Sequence, residues 1–395
     1  MFRYVWNALF HSCEDKNFRY MNFTISSSAL LSLLQNTGKV IPPKATMPIL
    51  DYFLFNLSDG KLSVTATDLE TTMISEIRVD TVEEEGVVAI TSKLLIDALR
   101  ELSDQPVNIT VDKSTYEVIL SWRTGRISIP GLGGAGYPEL ASLADESQKI
   151  TIPADNLLNG VSKTIFATGE GELHPVMNGI YFDITPEAIT FVATDAFKLA
   201  KITMRGETGA SEAASFVLPK KPALLLRALL AKETENVSVE FDSRYIVFTL
   251  SGYKLITRAI EGRYPNYNSV IPTNNTNKVI VDRVAFLGSI RRVSVCSSAA
   301  NSLVKFTIEP GRMVVAAQDT DFSVSAEDTI ECNYEGEPLA IGFKHTILVE
   351  MLSNISAKEV SFELADSTRP GLVIPAGETD EFEAEMVMLL MPILS

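Results

Sequence analysis

Apolar and polar positions alternate through much of this chain, and three times the alternation gives way to helical spacing in the same order. Phe23 and Ile25 alternate ahead of Leu30, Leu31 and Leu34, which share a helical face. Ile150 and Ile152 precede Leu157, Leu158 and Val161, and Val279 and Val281 precede Val284, Leu287, Ile290 and Arg291. A period of two predicts strands, and i, i+3, i+4 spacing predicts amphipathic helices. Two further alternating segments follow each first helix. In the first copy they flank Asp59-Gly60, a strong hairpin signal; Asn178-Gly179 and Pro310-Gly311 punctuate the later copies. A second helix is then predicted from Ile90 to Arg100, Val217 to Arg227 and Ile341 to Leu352, and alternating segments close each copy.

The copies keep register. Asp68, Asp195 and Asp319 are spaced by 127 and 124 residues, and Lys93, Lys220 and Lys344 by the same two intervals. Two independent markers in one register make an internal repeat. A period of roughly 125 residues far exceeds the ~20–50 of solenoids and propellers, so these are whole domains in series. The fold class expected is α+β, with two helices and antiparallel sheets in each of three tandem domains. Polar runs at Ala144–Lys149 and Thr273–Asn277 place the domains at 21–147, 148–275 and 276–395. Residues 1–20 stand outside the repeat. They are too aromatic for a secretory leader and are read as an N-terminal extension, not part of the fold.

Composition narrows the function classes. The 395 residues are 46 % hydrophobic and 21 % charged, with no run near the ~20 apolar residues of a membrane span. Cys13, Cys296 and Cys332 are an odd, scattered set that forms no disulfide framework, so a cytoplasmic location is expected. A net charge of −16 taken alone argues against nucleic-acid binding, although it does not show whether basic residues gather on one face.

A search for catalytic chemistry finds little. Gly131-Leu-Gly-Gly-Ala-Gly136 matches a dinucleotide pattern, but Tyr137-Pro138 follows where a helix should open. An oxidoreductase on that stretch is a distant reading. His174 and His345 lack neighbouring ligands for a metal. Asp68, Asp195 and Asp319 recur at strand ends, which favours turn capping over catalysis. No enzyme, cofactor or metal site is expected. The recurring helix lysines carry more. Lys93 with Arg100, and Lys220 with Arg227, lie seven residues apart on one helical face, and Lys344 holds the third register position. Lys44, Lys163 and Arg292 add charge in or near these helices. A basic helix set on an acidic chain would hold a polyanion at one place and repel it elsewhere.

The segments Thr46-Met-Pro-Ile-Leu50, Ala66-Thr-Asp-Leu-Glu70, Ala193-Thr-Asp-Ala-Phe-Lys-Leu-Ala200, Gly262-Arg-Tyr-Pro-Asn-Tyr267 and Met391-Pro392 closely resemble the bacterial DNA polymerase III beta subunit family, the sliding clamps, from Met21 to the end. That resemblance implies three DNA-clamp domains per subunit and a head-to-tail homodimer closing into a ring. Helices would line the hole, giving the repeated cations a DNA-facing role without sequence readout. Lys44, Lys93, Arg100, Lys163, Lys220, Arg227, Arg292 and Lys344 are the DNA-binding candidates.

Carried over by position, a partner-peptide groove would comprise Met177, Thr194, Ala196, Phe197, Lys198, Leu199, Pro265, Val270, Leu389, Leu390, Met391, Pro392 and Ile393. The dimer interface would join Ile127 and Ile129 to Val295 and Cys296 of the other copy. The implied partners are double-stranded DNA, a second copy, the replicative polymerase catalytic subunit and clamp-loader subunits. Repair polymerases and mismatch-repair proteins are further candidates; no membrane is implied. The chain departs from the family's commoner Gly-His-Arg turn at Ala196-Phe197-Lys198. The rival reading is a peptide-binding scaffold that does not encircle DNA.

Overall fold

The computed structural model describes residues 20–380 and 382–393; the N-terminal extension, Cys13 included, lies outside them apart from Tyr20. The chain divides into two compact units. One runs to Ser142 and takes in Thr249–Ile256; the other is Leu143–Phe248 with the chain from Thr257 onward.

In the first unit α1 (Ser27–Thr37) begins where the Ser26 hydroxyl accepts the Ala29 amide at 3.3 Å. Its buried face is Leu30, Leu33 and Leu34, so Leu33 takes the place expected of Leu31. α2 (Ser92–Arg100) buries Leu95 and Leu99 and packs beside α1, leaving Lys93 and Arg100 exposed. The hairpin between Tyr52–Ser58 and Lys61–Thr67 turns through Asp59 and Gly60, at φ 52° and 71°. Two successive positive φ values make a type I′ turn, whose twist matches the flanking strands. The glycine-rich stretch ends the strand Gly125–Gly133 and passes into a single 3₁₀ turn, without the helix that a dinucleotide site needs.

The second unit holds α3 (Ala154–Thr164), α4 (Lys220–Leu230), α5 (Arg283–Ser294) and α6 (His345–Ser353). α3 packs with α4, and α5 with α6, so each copy repeats the helix pair of the first. The third copy shifts its core face: Val284 is 63 % exposed, while Phe286, Ile290 and Val293 are buried. Helical spacing fits either stripe, and packing against Phe306 and Phe362 selects the one with Phe286.

What positions the site is an antiparallel sheet shared by the second and third copies. Its order is Ala214–Pro219, Gly179–Thr185, Ala188–Thr194, Lys198–Arg205, Met386–Leu390, Gly371–Ala376, Glu359–Leu364 and Asn277–Asp282. The copies meet where Leu199 pairs with Leu389 and Lys198 with Leu390. Behind the sheet, Gly160 of α3 sits where a Cβ would come within 2.4 Å of the Phe191 ring. The missing side chain lets the helix lie close against that strand.

Among the described residues no helix is long and apolar enough to cross a membrane.

Candidate partner-binding groove

The strand Ala188–Thr194 ends in a four-residue turn, Asp195 to Lys198, that hydrogen bonding holds tightly. Asp195 Oδ1 accepts the amides of Phe197 and Lys198, at 2.9 and 2.8 Å. Thr194 Oγ1 donates to the Lys198 carbonyl at 2.7 Å and accepts the Ala196 amide at 3.2 Å. The first copy repeats this scheme: Asp68 Oδ1 accepts from Glu70 and Thr71, and Thr67 bonds the Leu69 amide and the Thr71 carbonyl. Asp319 accepts from Asp321 and Phe322 in the third, where the threonine is replaced by Gln318. All three aspartates cap turns, and their side chains are spent on backbone amides. Ala196 stands at φ 74° and Leu69 at φ 80°, so the turn forces a left-handed residue that neither side chain favours.

Successive residues along a strand face opposite sides of its sheet. Leu199 and Leu389 face away from the helices, in a buried cluster with Val192, Val217, Tyr264, Tyr267 and Leu372. They form a floor. Burying each leucine contributes about 1.5–3 kcal/mol. Val176, Ile260, Ile271, Ile374 and Val387 pack around the cluster, half-buried. Above it Phe197, Val270 and Met391 are 67 %, 53 % and 39 % exposed, and the Met391 amide donates to the Phe197 carbonyl at 2.9 Å. Pro265 and Ala196 are also exposed, and Met177, Pro392 and Ile393 are half-buried. The Ile393 amide bonds the Gly342 carbonyl at 2.8 Å, tying the tail to the third copy.

Several groove candidates are not on the surface. Thr194, Leu199 and Leu389 are buried. Leu390 is buried as well, on the opposite face of the strand from Leu389, so it belongs to the core behind the sheet. Lys198 points the same way. Its ammonium lies 2.5 Å from Glu350 of α6, 4.0 Å from Asp195 and 5.6 Å from the centre of the Phe166 ring. Its side chain is only 10 % exposed. Glu350 is 152 residues away, and no spacing rule could have paired them.

A cavity of about 490 Å³ opens next to this cluster, between Tyr181, Asp183, Val217 and the Ala259–Asn268 loop. Of the predicted groove residues only Pro265 lines it. Tyr181 stacks on Tyr264 with centroids 4.5 Å apart, and the Tyr267 hydroxyl donates to Asp183 at 2.6 Å. Burial pushes both Tyr264 and Tyr267 upward, with Asp183 adding to the shift of Tyr267, so both phenols stay protonated. These tyrosines brace the loop that carries Pro265 and Val270. Tyr181 and Tyr264 were missed as site supports because aromatic residues on a strand and a loop show no periodic pairing.

The basic candidates divide by environment. Lys44, Lys93, Arg100, Arg227, Arg292 and Lys344 are exposed. Arg100 pairs with Asp97 at 3.2 Å and Arg292 with Asp328 at 2.5 Å, and both pairs are open to solvent. Lys220 is half-buried and bonds Glu170 at 2.6 Å; this ammonium, with a smaller pull from Lys198, holds the Glu170 carboxyl below its usual range. Lys163 differs. Its ammonium bonds Glu383, whose side chain has no exposed surface, and the Ser356 hydroxyl. It belongs to the join between the second and third copies and is not a free surface cation. At the expected dimer interface Val295 is 83 % and Ile127 37 % exposed, and Cys296 is half-buried. Ile129 is buried at 1 %, opposite Val118, and is a core residue of its own domain.

Three tandem α+β copies, the second and third sharing an antiparallel sheet with exposed apolar side chains at their join, define the class of multidomain DNA clamps. Profiles of the DNA polymerase III beta subunit match across the chain: the N-terminal domain at residues 21–141, the central domain at 151–266 and the C-terminal domain at 268–392. The chain therefore belongs to the DNA polymerase III beta subunit family, the beta sliding clamps, whose members are non-catalytic processivity subunits. The beta sliding clamp of Caulobacter vibrioides is 27 % identical over 94 % of this chain and all of its own length. A crystal structure of the sliding clamp from Bartonella birtlesii, bound to griselimycin, superposes with a TM-score of 0.88 at 28 % identity. It covers 95 % of this chain and 100 % of that one. The Caulobacter crescentus clamp gives 0.86 at 26 % identity, with the same coverage.

Proposed function

We propose that two copies of this chain close head to tail around duplex DNA and carry the replicative polymerase and the clamp loader on the groove between the second and third copies. The observation that carries the groove is the rim of Phe197, Val270 and Met391 above a buried leucine floor. Monomeric proteins rarely leave such side chains together in water, and an extended apolar peptide would cover them. Repair polymerases and mismatch-repair proteins are further occupants of the same surface. Exposed Lys44, Lys93, Arg227 and Lys344 would face DNA phosphates, which carry no sequence information and so permit sliding. Exposed Val295 and Ile127 suit a copy-to-copy contact, and Val324–Glu331 ends its four-stranded sheet with an edge a partner strand could cover. The domains are taken as 21–147, 148–275 and 276–395, and the chain as cytoplasmic.

Light scattering together with retention on circular and linearised DNA tests encirclement. A dimer retained on circles and lost from linear DNA is expected; equal loss from both forms would overturn it. A peptide-binding scaffold remains the second reading, favoured only by the strength of the groove. Charge reversal at Lys93, Lys220 and Lys344 separates the two: a clamp loses DNA retention, and a scaffold keeps its function.

A further inference from the structure

The three register-equivalent lysines do not share one environment. Lys93 and Lys344 are exposed, and among the described residues neither forms an ion pair or a side-chain hydrogen bond. Lys220 is taken. Its ammonium donates to Glu170 Oε1 at 2.6 Å, with the two side chains 34 % and 79 % exposed. Glu170 comes from the loop between α3 and the strand Gly179–Thr185, and that loop is braced. The Gly169 amide donates to the Met177 carbonyl at 2.7 Å, and the Asn178 side-chain amide to the Gly171 carbonyl at 2.9 Å. The Asn178 carbonyl in turn accepts the backbone amide of Lys220 at 3.1 Å, so one residue ties the loop to the head of α4. The corresponding loops of the other copies, residues 38–50 and 295–302, contain no aspartate or glutamate, whereas residues 165–178 hold Glu170 and Glu172. Only the second copy brings a carboxylate to this position.

We propose that Glu170 is a built-in competitor for DNA phosphate at Lys220, which loosens the second copy's grip on duplex DNA. This rests on the DNA-facing role given to the helix lysines above. A carboxylate and a phosphate present similar anionic oxygens to an ammonium, and this pair is open enough to water for a phosphate to displace it. The exchange gains little. Once Lys220 turns to a phosphate, the carboxylate left behind takes up a salt cation, which offsets the counter-ion released from the DNA.

Anisotropy of a fluorescein-labelled duplex, titrated with the full chain at salt concentrations from about 50 to 200 mM, tests this. Glu170→Gln removes the charge and keeps the shape of the side chain. It should tighten binding about two- to fivefold and steepen the fall of log affinity with log salt by about 0.9. Glu172→Gln removes the same charge from the same loop without freeing a cation, and should leave both quantities near the parent's. In a Lys220→Met background, Glu170→Gln should change neither, and a thermal melt of each variant checks folding. Unchanged affinity in a folded Glu170→Gln variant, equal tightening by Glu172→Gln, or an effect that persists with Lys220→Met would overturn the proposal while the DNA reading stands. No duplex binding by the parent or by Glu170→Gln at any salt would overturn the DNA reading, and this proposal with it.

Discussion

The ammonium of Lys163 lies 2.5 Å from a carboxylate of Glu383, a side chain with no exposed surface, across 220 residues of sequence. Glu383 also accepts the amides of Ser356 and Ala357, at 2.6 and 2.9 Å. Burial pushes its carboxyl upward, but Lys163 and the two amides outweigh burial and hold it below the usual glutamate range. The pair fastens the last turn of α3 in the second copy to the third copy's final loop.

Breaking that pair should be costly, since a buried carboxylate left without its counter-ion loses about 3–5 kcal/mol. Lys163→Met is expected to lower the melting temperature by several degrees, with DNA retention per folded molecule unchanged. Loss of DNA retention at unchanged stability would return Lys163 to the DNA-facing set.

The same carboxylate makes stability pH-dependent. A folded pKa depressed below the unfolded value contributes stability that is complete above the unfolded pKa, near 4.5, and lost as pH falls through the folded one. Denaturation midpoints measured from pH 6 down to pH 3 should fall with acid, and Glu383→Gln should flatten that fall. A slope unaltered by the substitution would assign the acid sensitivity elsewhere.

The three capped turns allow an internal comparison. Asp195→Ala leaves two amides without their acceptor and should cost about 1–2 kcal/mol, as should Asp68→Ala. Only Asp195→Ala should also weaken peptide binding, because only its turn holds Phe197 at the groove. Equal weakening by both would detach the groove from the second copy.

Gly160→Ala sets two effects against each other. Alanine favours a helix by about 1 kcal/mol over glycine. Its methyl group, however, would meet three atoms of the Phe191 ring at 2.4–2.5 Å, and that ring is fully buried. Overpacking of this kind costs about 1–3 kcal/mol, so net destabilisation is expected by chemical denaturation. A variant as stable as the parent would mean that helix and strand separate more easily than their packing suggests.

Much of this molecule was legible along the chain. Period-two and helical spacing marked strands and helices, and the matched intervals of the aspartates and lysines revealed three copies. The capping role of Asp68, Asp195 and Asp319 was also readable, because an aspartate bonding amides two and three residues ahead is a local event. Where two stripes fit the same spacing, as with Leu31 against Leu33 and Val284 against Phe286, only packing partners could choose.

Read alone, the residues specified a threefold α+β repeat and the segments that carry its family resemblance, since propensity, periodicity and turn chemistry act over a few neighbours. They could not say which way a side chain faces once distant strands pair. Folding put Lys198 behind the sheet against Glu350, sealed Lys163 on Glu383, and buried Ile129 and Leu390 in their own cores. Those outcomes depend on charges and surfaces contributed from more than a hundred residues away, or on which face of a strand finds cover. Sequence spacing records neither.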